Sequence, residues 1–398
     1  MAETPVGIWF VGARGGVAAT ATVGLAALKQ GLLGTAGLVS ELPAFAGLGL
    51  AEWTRFVVGG HEIRGVSLPE EAARLMRESH TFDRELFEQC RAELERIDGR
   101  IRPGTLEKSG PTIAGFADLD LPRDKSPRHA VERLKQDLAE FVESEGLGHV
   151  VVVCVASTEP VAEPTDVPLR WTELEPLLES AGKCPLPASS LYAVAALESG
   201  HSFVNFTPSL GSNSPALDEL ARACGTRHMG CDGKTGETLM KSVLAPMFAR
   251  RNLQVMSWVG HNIFGNLDSR VLDDPVSKRA KVTSKDHLVG EILGYRPQTL
   301  VSIERIESLG DWKTAWDHVH FRGFLDTPMT LQFTWQGCDS VLAAPLVLDL
   351  VRLTELAYRR DHVGLMPFLA SFFKSPVGVD EHRFDRQFAM LEEWALGG

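Results

Sequence analysis

The chain has few cysteines and no long apolar run. Six of its 398 residues are cysteine, and none forms a Cys-x-x-Cys pair or a Cys/His cluster with zinc spacing. This pattern argues against a disulfide scaffold and a zinc module. No segment reaches roughly 18 uninterrupted apolar residues, the length that a membrane-spanning helix needs. The first residues lack a basic region followed by a cleavable apolar stretch, so we expect a cytoplasmic protein.

The chain also lacks a surplus of positive charge. With 40 Lys and Arg against 52 Asp and Glu, its formal net charge is −12. There is no global positive field to attract nucleic acid or an anionic membrane, and we expect neither as a partner. Any anionic ligand must therefore be held by a local group of cations.

What the chain does contain is a recurring order of strand, loop and helix. The apolar run 6–11 stops at glycines and precedes a predicted helix over 18–30. Further strands are predicted at 37–39, 55–58 and 150–153, and the last has no polar alternation, as expected of a strand buried on both faces. The pattern predicts a doubly wound α/β sheet. After about residue 240 the apolar and polar positions alternate, which predicts a separate, largely antiparallel sheet.

The stretch "GARGGVAAT", residues 12–20, is the first candidate site. Its glycines allow the backbone to approach a pyrophosphate, and the helix that follows offers unpaired N–H groups. The turn departs from G-x-G-x-x-G, and a glycine turn that only tightens a strand-helix joint is the alternative. An acid for the adenosine ribose is either Glu41 or Glu62, since both follow predicted strands.

The stretch "GCDGKTGETLMKS", residues 230–242, is the second candidate. Backbone amides and hydroxyls at a helix start suit a phosphate, and Asp232 could orient a hydroxyl or nicotinamide. The stretch lacks the spacing of a P-loop. An ordinary N-capped helix is the alternative interpretation.

The third candidate is "HNIFGNLDSRVLDDPVSKRAKVTSKD", residues 261–286. Lys281 and Lys285 are four residues apart, so in a helix they share one face, where two ammonium groups repel unless an anion lies between them. A phosphorylated substrate would supply that anion. A solvated surface helix with ordinary lysines is the alternative.

Taken together, these stretches resemble the myo-inositol-1-phosphate synthase (inositol-3-phosphate synthase) family, in its short prokaryotic form. The family carries G-D-D-x-K-S-G-Q-T, then S-Y-N-H-L-G-N-N-D-G, then R-S-K-E-I-S-K. The chain reads G-C-D-G-K-T-G-E-T from residue 230, N-I-F-G-N-L-D from residue 262 and R-A-K-V-T-S-K from residue 279. Order and spacing both agree.

Further similarities extend the resemblance from about Val6 to Leu391. Downstream, "LGDWK", "CDSVLAAPLVLDL" and "FFKSP" are similar to the family's G-D-S-K, E-D-S-L-L-A-T-P-L-I-I-D-L and L-K-A-P. Upstream, "FVVGGHEI" is similar to F-V-V-S-G-W-D-I, which favours Glu62 over Glu41 as the ribose acid, and "VASTE" to T-A-N-T-E.

The resemblance implies two domains and an assembly. Residues 1–239 and 339–398 would form a doubly wound, Rossmann-type NAD-binding domain. Residues 240–338 would form an inserted α+β domain for catalysis and oligomerisation, in a homotetramer.

The resemblance also implies a reaction. D-glucose 6-phosphate would be oxidised at C5 by NAD, enolised at C6, closed by an intramolecular aldol step and reduced again, giving 1D-myo-inositol 3-phosphate (1L-myo-inositol 1-phosphate). Such chemistry needs several cations where water is excluded. Lys281 and Lys374 would serve the C5 oxygen, and Lys285 and Lys313 the phosphate and the enolate or aldehyde oxygen. Crowding should lower at least one ammonium pKa.

The remaining site residues follow from the same resemblance. The residues implied for substrate binding are Thr235, Gly236, Asn262, Asn266, Asp268 and Asp311. The residues implied for NAD binding are Gly12, Arg14, Gly15, Gly16, Val17, Glu62, Ala156, Ser157, Asp232 and Asp339. The sequence leaves open whether a divalent or monovalent cation is also required.

Two departures keep other functions open. The family's G-G-N-N-G is replaced by Arg14 to Ala18, and its N-G-S-P-Q-N by Asn205 to Ser209. A same-scaffold enzyme acting on another sugar phosphate, a non-catalytic NAD-binding sensor and an ordinary dehydrogenase are the alternatives. The presence of all four lysines argues against the sensor, because buried cations are costly unless a ligand uses them.

Overall fold

Two β-sheets organise the chain. The structure is a computed structural model that describes residues 4–160, 167–180, 182–266 and 288–397. Its strands are β1 (Val6–Val11), β2 (Phe56–Glu62), β3 (Ile101–Pro103), β4 (His149–Cys154), β5 (Ser202–Asn205), β6 (Arg227–Met229), β7 (Gln254–Phe264), β8 (Gln298–Arg305), β9 (Trp312–Arg322), β10 (Pro328–Cys338) and β11 (Gly364–Leu365). Its labelled helices are α1 (Gly16–Lys29), α2 (Leu68–Arg74), α3 (Arg84–Asp98), α4 (Pro111–Ala114), α5 (Pro127–Glu145), α6 (Trp171–Leu174), α7 (Ala188–Glu198), α8 (Pro215–Ala223), α9 (Gly236–Arg250), α10 (Asp339–Arg359) and α11 (Phe384–Leu396).

The first sheet is parallel, with seven strands in the order β11-β6-β5-β4-β1-β2-β3. All six residues of β1 and of β4 are buried, because helices cover both faces of the sheet. On one face α1, α3 and α10 form an apolar cluster with the strands, and on the other face α5, α7 and α8 form a second. The predicted doubly wound α/β fold class is confirmed.

One predicted strand is wrong. Residues 37–39 do not pair with the sheet; Val39–Glu41 is a short 3₁₀ helix whose first amides are held by Asp349. The strands that pair with β1 are β4 on one side and β2 on the other, the latter in the register Val6↔Phe56. A three-residue apolar run is too short to distinguish a strand from a turn by its periodicity.

The second sheet has four strands in the order β10-β9-β7-β8. Strands β9 and β10 pair antiparallel, as do β7 and β9, whereas β7 and β8 are parallel. One face of this sheet packs on α9 through an apolar cluster that includes Phe248 and Trp258. Strand β7 begins "QVMSW" and was not predicted from the sequence.

The predicted domain boundary at residue 239 falls inside α9, which runs from Gly236 to Arg250 and contacts the second sheet. The division into residues 1–239 with 339–398 and residues 240–338 stays a prediction. Among the described residues, no helix is both long and apolar enough to cross a membrane.

Candidate active site

A cavity of about 260 Å³ lies at the carboxyl ends of the parallel strands and extends to the second sheet. In an open α/β sheet this edge is where ligands bind, since loops and helix N-termini meet there. Predicted site residues that line the cavity are Gly12, Gly15, Gly16, Val17, Glu62, Ala156, Ser157, Asp232, Thr235, Asn266, Asp311, Lys313, Asp339 and Lys374. The structure thus brings together residues from eight separate stretches of the chain.

The glycine turn after β1 brings the backbone close to the loop after β4. Gly12 has a φ of +84°, and a Cβ on it would lie 2.8 Å from the Cα of Ala156. Gly15 caps α1 without a side-chain hydrogen bond, and a Cβ on Gly16 would meet nothing nearer than 3.9 Å. An open glycine surface at the start of a 14-residue helix fits a pyrophosphate.

Arg14 contributes its backbone rather than its side chain to this region. Its Nε lies 2.8 Å from Oδ1 of Asp98, and its Nη1 donates to the carbonyl of Arg64 over 3.0 Å. The side chain does not line the cavity. Its amide N–H donates to Oε2 of Glu62 over 2.8 Å, so the turn and the end of β2 are locked together.

Glu62 is a buried acidic group that lines the cavity. It is 4% exposed, and its Oε1 accepts hydrogen bonds from the amides of Ile63 (2.8 Å) and Arg64 (3.2 Å). Glu41, the other acid suggested by the sequence, accepts from Trp53 and pairs with Arg352 outside the cavity. Glycine turn, helix start and buried acid together fit a dinucleotide such as NAD.

Asp232 and Lys374 form an ion pair in the cavity. The Lys374 Nζ lies 2.8 Å from Oδ1 of Asp232, and the Lys374 amide donates to the Asp232 carbonyl over 2.7 Å. Two loops distant in sequence are thereby paired. The ammonium is held at a defined place beside the space that a substrate would occupy.

A second cation lies across the cavity at the start of β9. Lys313 Nζ is 3.8 Å from Oδ1 of Asp339 and 5.1 Å from the centre of the Phe264 ring. Asn266 Nδ2 approaches Oδ1 of Asp311 (3.4 Å) and Oδ2 of Asp339 (3.5 Å). Burial, followed by the nearby Asp339 charge, raises the pKa of Asp311. This side of the cavity therefore combines a cation with hydroxyl-binding groups.

The helix start at α9 is the candidate anion site. Thr235 is its N-cap, makes no side-chain cap hydrogen bond and lines the cavity. Gly236, with a φ of +54°, begins the helix but does not line the cavity. Backbone N–H groups at this end can bind a phosphate.

Asn262 lies on β7 behind this helix start and does not line the cavity. It is fully buried, and its Nδ2 donates to Oε2 of Glu237 over 2.7 Å. Glu237 also pairs with Lys241 at 2.6 Å. Asn262 thus joins the second sheet to the first turn of α9 rather than facing a ligand in this structure.

Three predicted residues lie outside the described part of the chain: Asp268, Lys281 and Lys285. Across the described residues, no group of three or more His, Cys, Asp or Glu side chains is arranged to hold a metal ion. The additional cation stays a prediction.

Several cavity residues were not predicted from the sequence. Glu159 lines the cavity and accepts a 2.8 Å hydrogen bond from the Ser189 amide at the start of α7; burial raises its pKa to about 7. The ring of Phe206 also lines the cavity and packs directly on Gly233. Their position in the sequence could have identified them, since Glu159 and Phe206 both follow strands of the parallel sheet.

Comparison with known proteins identifies the scaffold. The chain is 30% identical to Inositol-3-phosphate synthase 1 of Bacteroides thetaiotaomicron, over 98% of this chain and 93% of that protein. It is 32% identical to Inositol-3-phosphate synthase 1 of Rattus norvegicus, over 76% of this chain and 55% of the rat protein. The crystal structure of inositol-3-phosphate synthase from Caenorhabditis elegans has a TM-score of 0.88 at 24% identity, covering 98% of this chain and 85% of that one.

A myo-inositol-1-phosphate synthase-related protein from Thermotoga maritima has a TM-score of 0.77 at 24% identity, covering 98% of both chains. Both solved structures support the fold. The NAD-binding family described as myo-inositol-1-phosphate synthase matches residues 6–395. The chain belongs to the myo-inositol-1-phosphate synthase family, and the resemblance seen in its motifs is confirmed.

Proposed function

We propose that the protein is an NAD-dependent inositol-3-phosphate synthase that converts D-glucose 6-phosphate to 1D-myo-inositol 3-phosphate (1L-myo-inositol 1-phosphate). One observation carries this proposal: one cavity is lined both by the glycine turn with Glu62 and by Lys313 with Lys374. A dinucleotide and a phosphorylated sugar can therefore meet in one cavity. The family membership supports the same reaction over the alternatives of a sensor or an ordinary dehydrogenase.

NAD, when bound, would supply the hydride chemistry that oxidation and later reduction at C5 of the sugar require. In our proposal the cofactor's pyrophosphate lies against Gly12, Gly15, Gly16 and Val17, with the amide of Arg14 fixing the turn. Glu62 would accept hydrogen bonds from the adenosine ribose. Ala156, Ser157, Asp232 and Asp339 would line the remainder of the cofactor.

The lysines would hold the charges that develop on the sugar. Lys374, fixed 2.8 Å from Asp232, would stabilise the C5 oxyanion; Asp232 prevents the ammonium from swinging into solvent. Lys313, whose nearest carboxylate oxygen among the described residues is 3.8 Å away, is less tightly paired with it than Lys374 is with Asp232, and could turn toward the enolate or aldehyde oxygen. We keep Lys281 for the C5 hydroxyl and Lys285 for the phosphate, as the resemblance implies.

Two groups of residues beside these lysines would bind the substrate. The phosphate would lie at the start of α9, against Thr235 and the amide of Gly236. Asn266 and Asp311 would bind sugar hydroxyls, with Asp268 and Asn262 as further residues implied by the resemblance. For Asn262 a role as a substrate ligand requires its side chain to reach the cavity, which it does not line in this structure.

Three further features belong to the same proposal. The protein would be a cytoplasmic homotetramer, with a catalytic and oligomerisation domain over residues 240–338. The exposed face of the second sheet supports the tetramer, since Leu300 (54% exposed) and Trp316 (36% exposed) lie on the side away from α9.

The first test is turnover of D-glucose 6-phosphate with catalytic NAD, followed by phosphorus NMR. We expect an inositol phosphate to form without net NADH. Lys374→Ala should lower kcat by about 100-fold or more, because it removes a charge on the developing oxyanion. Lys183→Ala is the control, since Lys183 is exposed and does not line the cavity. Net NADH accumulation, or an equally active Lys374→Ala variant, would contradict the proposal.

A further inference from the structure

Lys234 is a buried lysine that the proposed mechanism does not use. It lies between Asp232 and Thr235 yet is only 2% exposed. Its ammonium donates to Oε1 of Gln387, and within the part of the chain that the structure describes no carboxylate pairs with it. Burial accordingly lowers the pKa of Lys234 to about 7.

Stability alone does not account for a lysine at this position. An ammonium loses its hydration when it is buried, and one amide acceptor recovers only part of that loss. An apolar side chain of similar length, such as methionine, would fill the same volume without this cost. Unlike methionine, the lysine can donate a hydrogen bond to one particular acceptor.

The backbone around Lys234 connects the main parts of the substrate side. The Lys234 amide donates to the carbonyl of Phe372 over 2.8 Å, two residues before Lys374. The Lys374 amide in turn donates to the carbonyl of Asp232. A shift of Lys234 would therefore move both partners of the Asp232–Lys374 pair and the N-cap of α9.

The acceptor of Lys234 is itself rigidly held. Gln387 is fully buried in the first turn of α11, and its Nε2 donates to the carbonyl of Glu381 over 2.5 Å. The lysine thus bonds to a fixed point on a helix rather than to a mobile side chain. Side chains that are anchored in this way hold catalytic groups to within the small tolerance that catalysis requires.

We propose that Lys234 is a positioning residue: its bond to Gln387 anchors the 230–236 loop to α11 and so holds Lys374 in its catalytic position. This inference rests on the proposed function, since it assigns Lys374 to the reaction. It concerns a residue that touches neither sugar nor cofactor.

The test is Lys234→Met in the full-length enzyme. We expect kcat for D-glucose 6-phosphate to fall roughly 10- to 100-fold, the effect of a misplaced catalytic group. The Kd for NAD, measured by calorimetry, should change much less than kcat, because in our proposal the glycine turn and Glu62 hold the pyrophosphate and the adenosine ribose, and Asp232 lines only the remainder of the cofactor. In combination with Asp232→Asn the two losses should be non-additive, since both act on the placement of Lys374.

The matched control is Lys29→Met. Lys29 is also a largely buried lysine with a lowered pKa, but it lies at the end of α1 and does not line the cavity. Its removal should leave kcat unchanged. If Lys234→Met does not fold, Gln387→Asn moves the acceptor back by one methylene and should lower kcat in the same way.

Two results would overturn the inference: an unchanged kcat per NAD-binding site, or losses that simply add with Asp232→Asn. Either would reduce Lys234 to a structural residue. If the wild-type enzyme itself does not convert D-glucose 6-phosphate, the proposed function fails first. If the wild type converts D-glucose 6-phosphate and Lys234→Met has the same kcat, only the positioning role is overturned.

Discussion

At the scale of single residues, Gly12 is the position where the backbone most limits what the sequence can contain. We predict that Gly12→Ala is destabilised and binds NAD weakly. The φ of +84° costs an alanine about 1–2 kcal/mol. In addition, the new Cβ would overlap the Cα of Ala156 at 2.8 Å and push the two cofactor loops apart. Chemical denaturation and calorimetric titration with NAD would measure both effects.

The chain provides a matched control for this prediction in Gly31. Its φ is +68°, and a Cβ there would meet nothing within 4 Å. Gly31→Ala should therefore show the backbone cost alone, with NAD affinity unchanged. Equal losses of stability and equal NAD affinity in the two variants would mean that the close approach to Ala156 has no consequence.

The sequence motifs predicted the position of some side chains in the cavity and not of others. Glu62 was preferred over Glu41 on its motif, and the structure places Glu62 in the cavity and Glu41 against Arg352. Asn262 lies in an equally similar motif, but its side chain faces α9 and donates to Glu237. A motif gives the residue type at a position, whereas the direction of a side chain depends on the element that packs over it.

At the scale of elements, His149 links the central strand β4 to helix α10. Its ring stacks on Tyr358 with 3.8 Å between centroids, and its Nε2 lies 2.8 Å from the Ser202 hydroxyl. Burial, and then the charges of His201 and Arg227, hold the pKa of His149 well below its usual value. The histidine is therefore neutral in the folded protein at moderately acidic pH.

We predict a pH-dependent difference between the wild type and His149→Gln. Below the ordinary histidine pKa of about 6.5 the unfolded chain gains a proton that folded His149 does not, so its stabilising contribution is lost as pH falls. The stability difference between wild type and variant should shrink from about pH 7.5 to about pH 5.5. Urea unfolding at each pH would measure it.

The comparison with the variant is needed because other buried groups change the free energy of unfolding with pH in the direction opposite to His149. Burial raises the pKa of Glu159 to about 7 and that of Asp349 to about 6, so their contributions fall as pH rises. These effects occur in both proteins and cancel in the difference. A difference that does not change with pH would contradict the prediction.

At the scale of the whole molecule, the second sheet has one covered face and one exposed face. Val259 pairs with Leu300, and His261 stacks on Trp316 at 5.8 Å, on the face opposite α9. A partly apolar sheet face of this kind is typical of a protein interface. We therefore predict that this face is buried between the subunits of the proposed tetramer, which sedimentation velocity would detect.

Charges placed on this face should separate the subunits. We expect Leu300→Glu with Trp316→Glu to sediment as a smaller species, because two buried carboxylates would face their copies in a symmetric interface. Leu169→Glu is the control, since Leu169 is 65% exposed and lies outside the second sheet. A wild type that sediments as a monomer would refute the predicted assembly.

The sequence by itself determined the family, the fold class and 14 of the residues that line the cavity. Apolar runs such as Val150 to Val153 identify buried parallel strands, because a strand covered on both faces has no place for polar residues. Motifs with several fixed spacings, such as residues 230–238, are specific enough to indicate a reaction.

Only the tertiary structure decided which side chains meet. The Asp232–Lys374 pair and the Lys234–Gln387 bond join residues 142 and 153 positions apart, and no local pattern encodes such contacts. The same holds for Asn262, which β7 and α9 place together with Glu237, and for Arg14, whose side chain turns to Asp98. Sequence periodicity specifies the buried face of an element, but the packing of elements against one another determines the partner of each polar group.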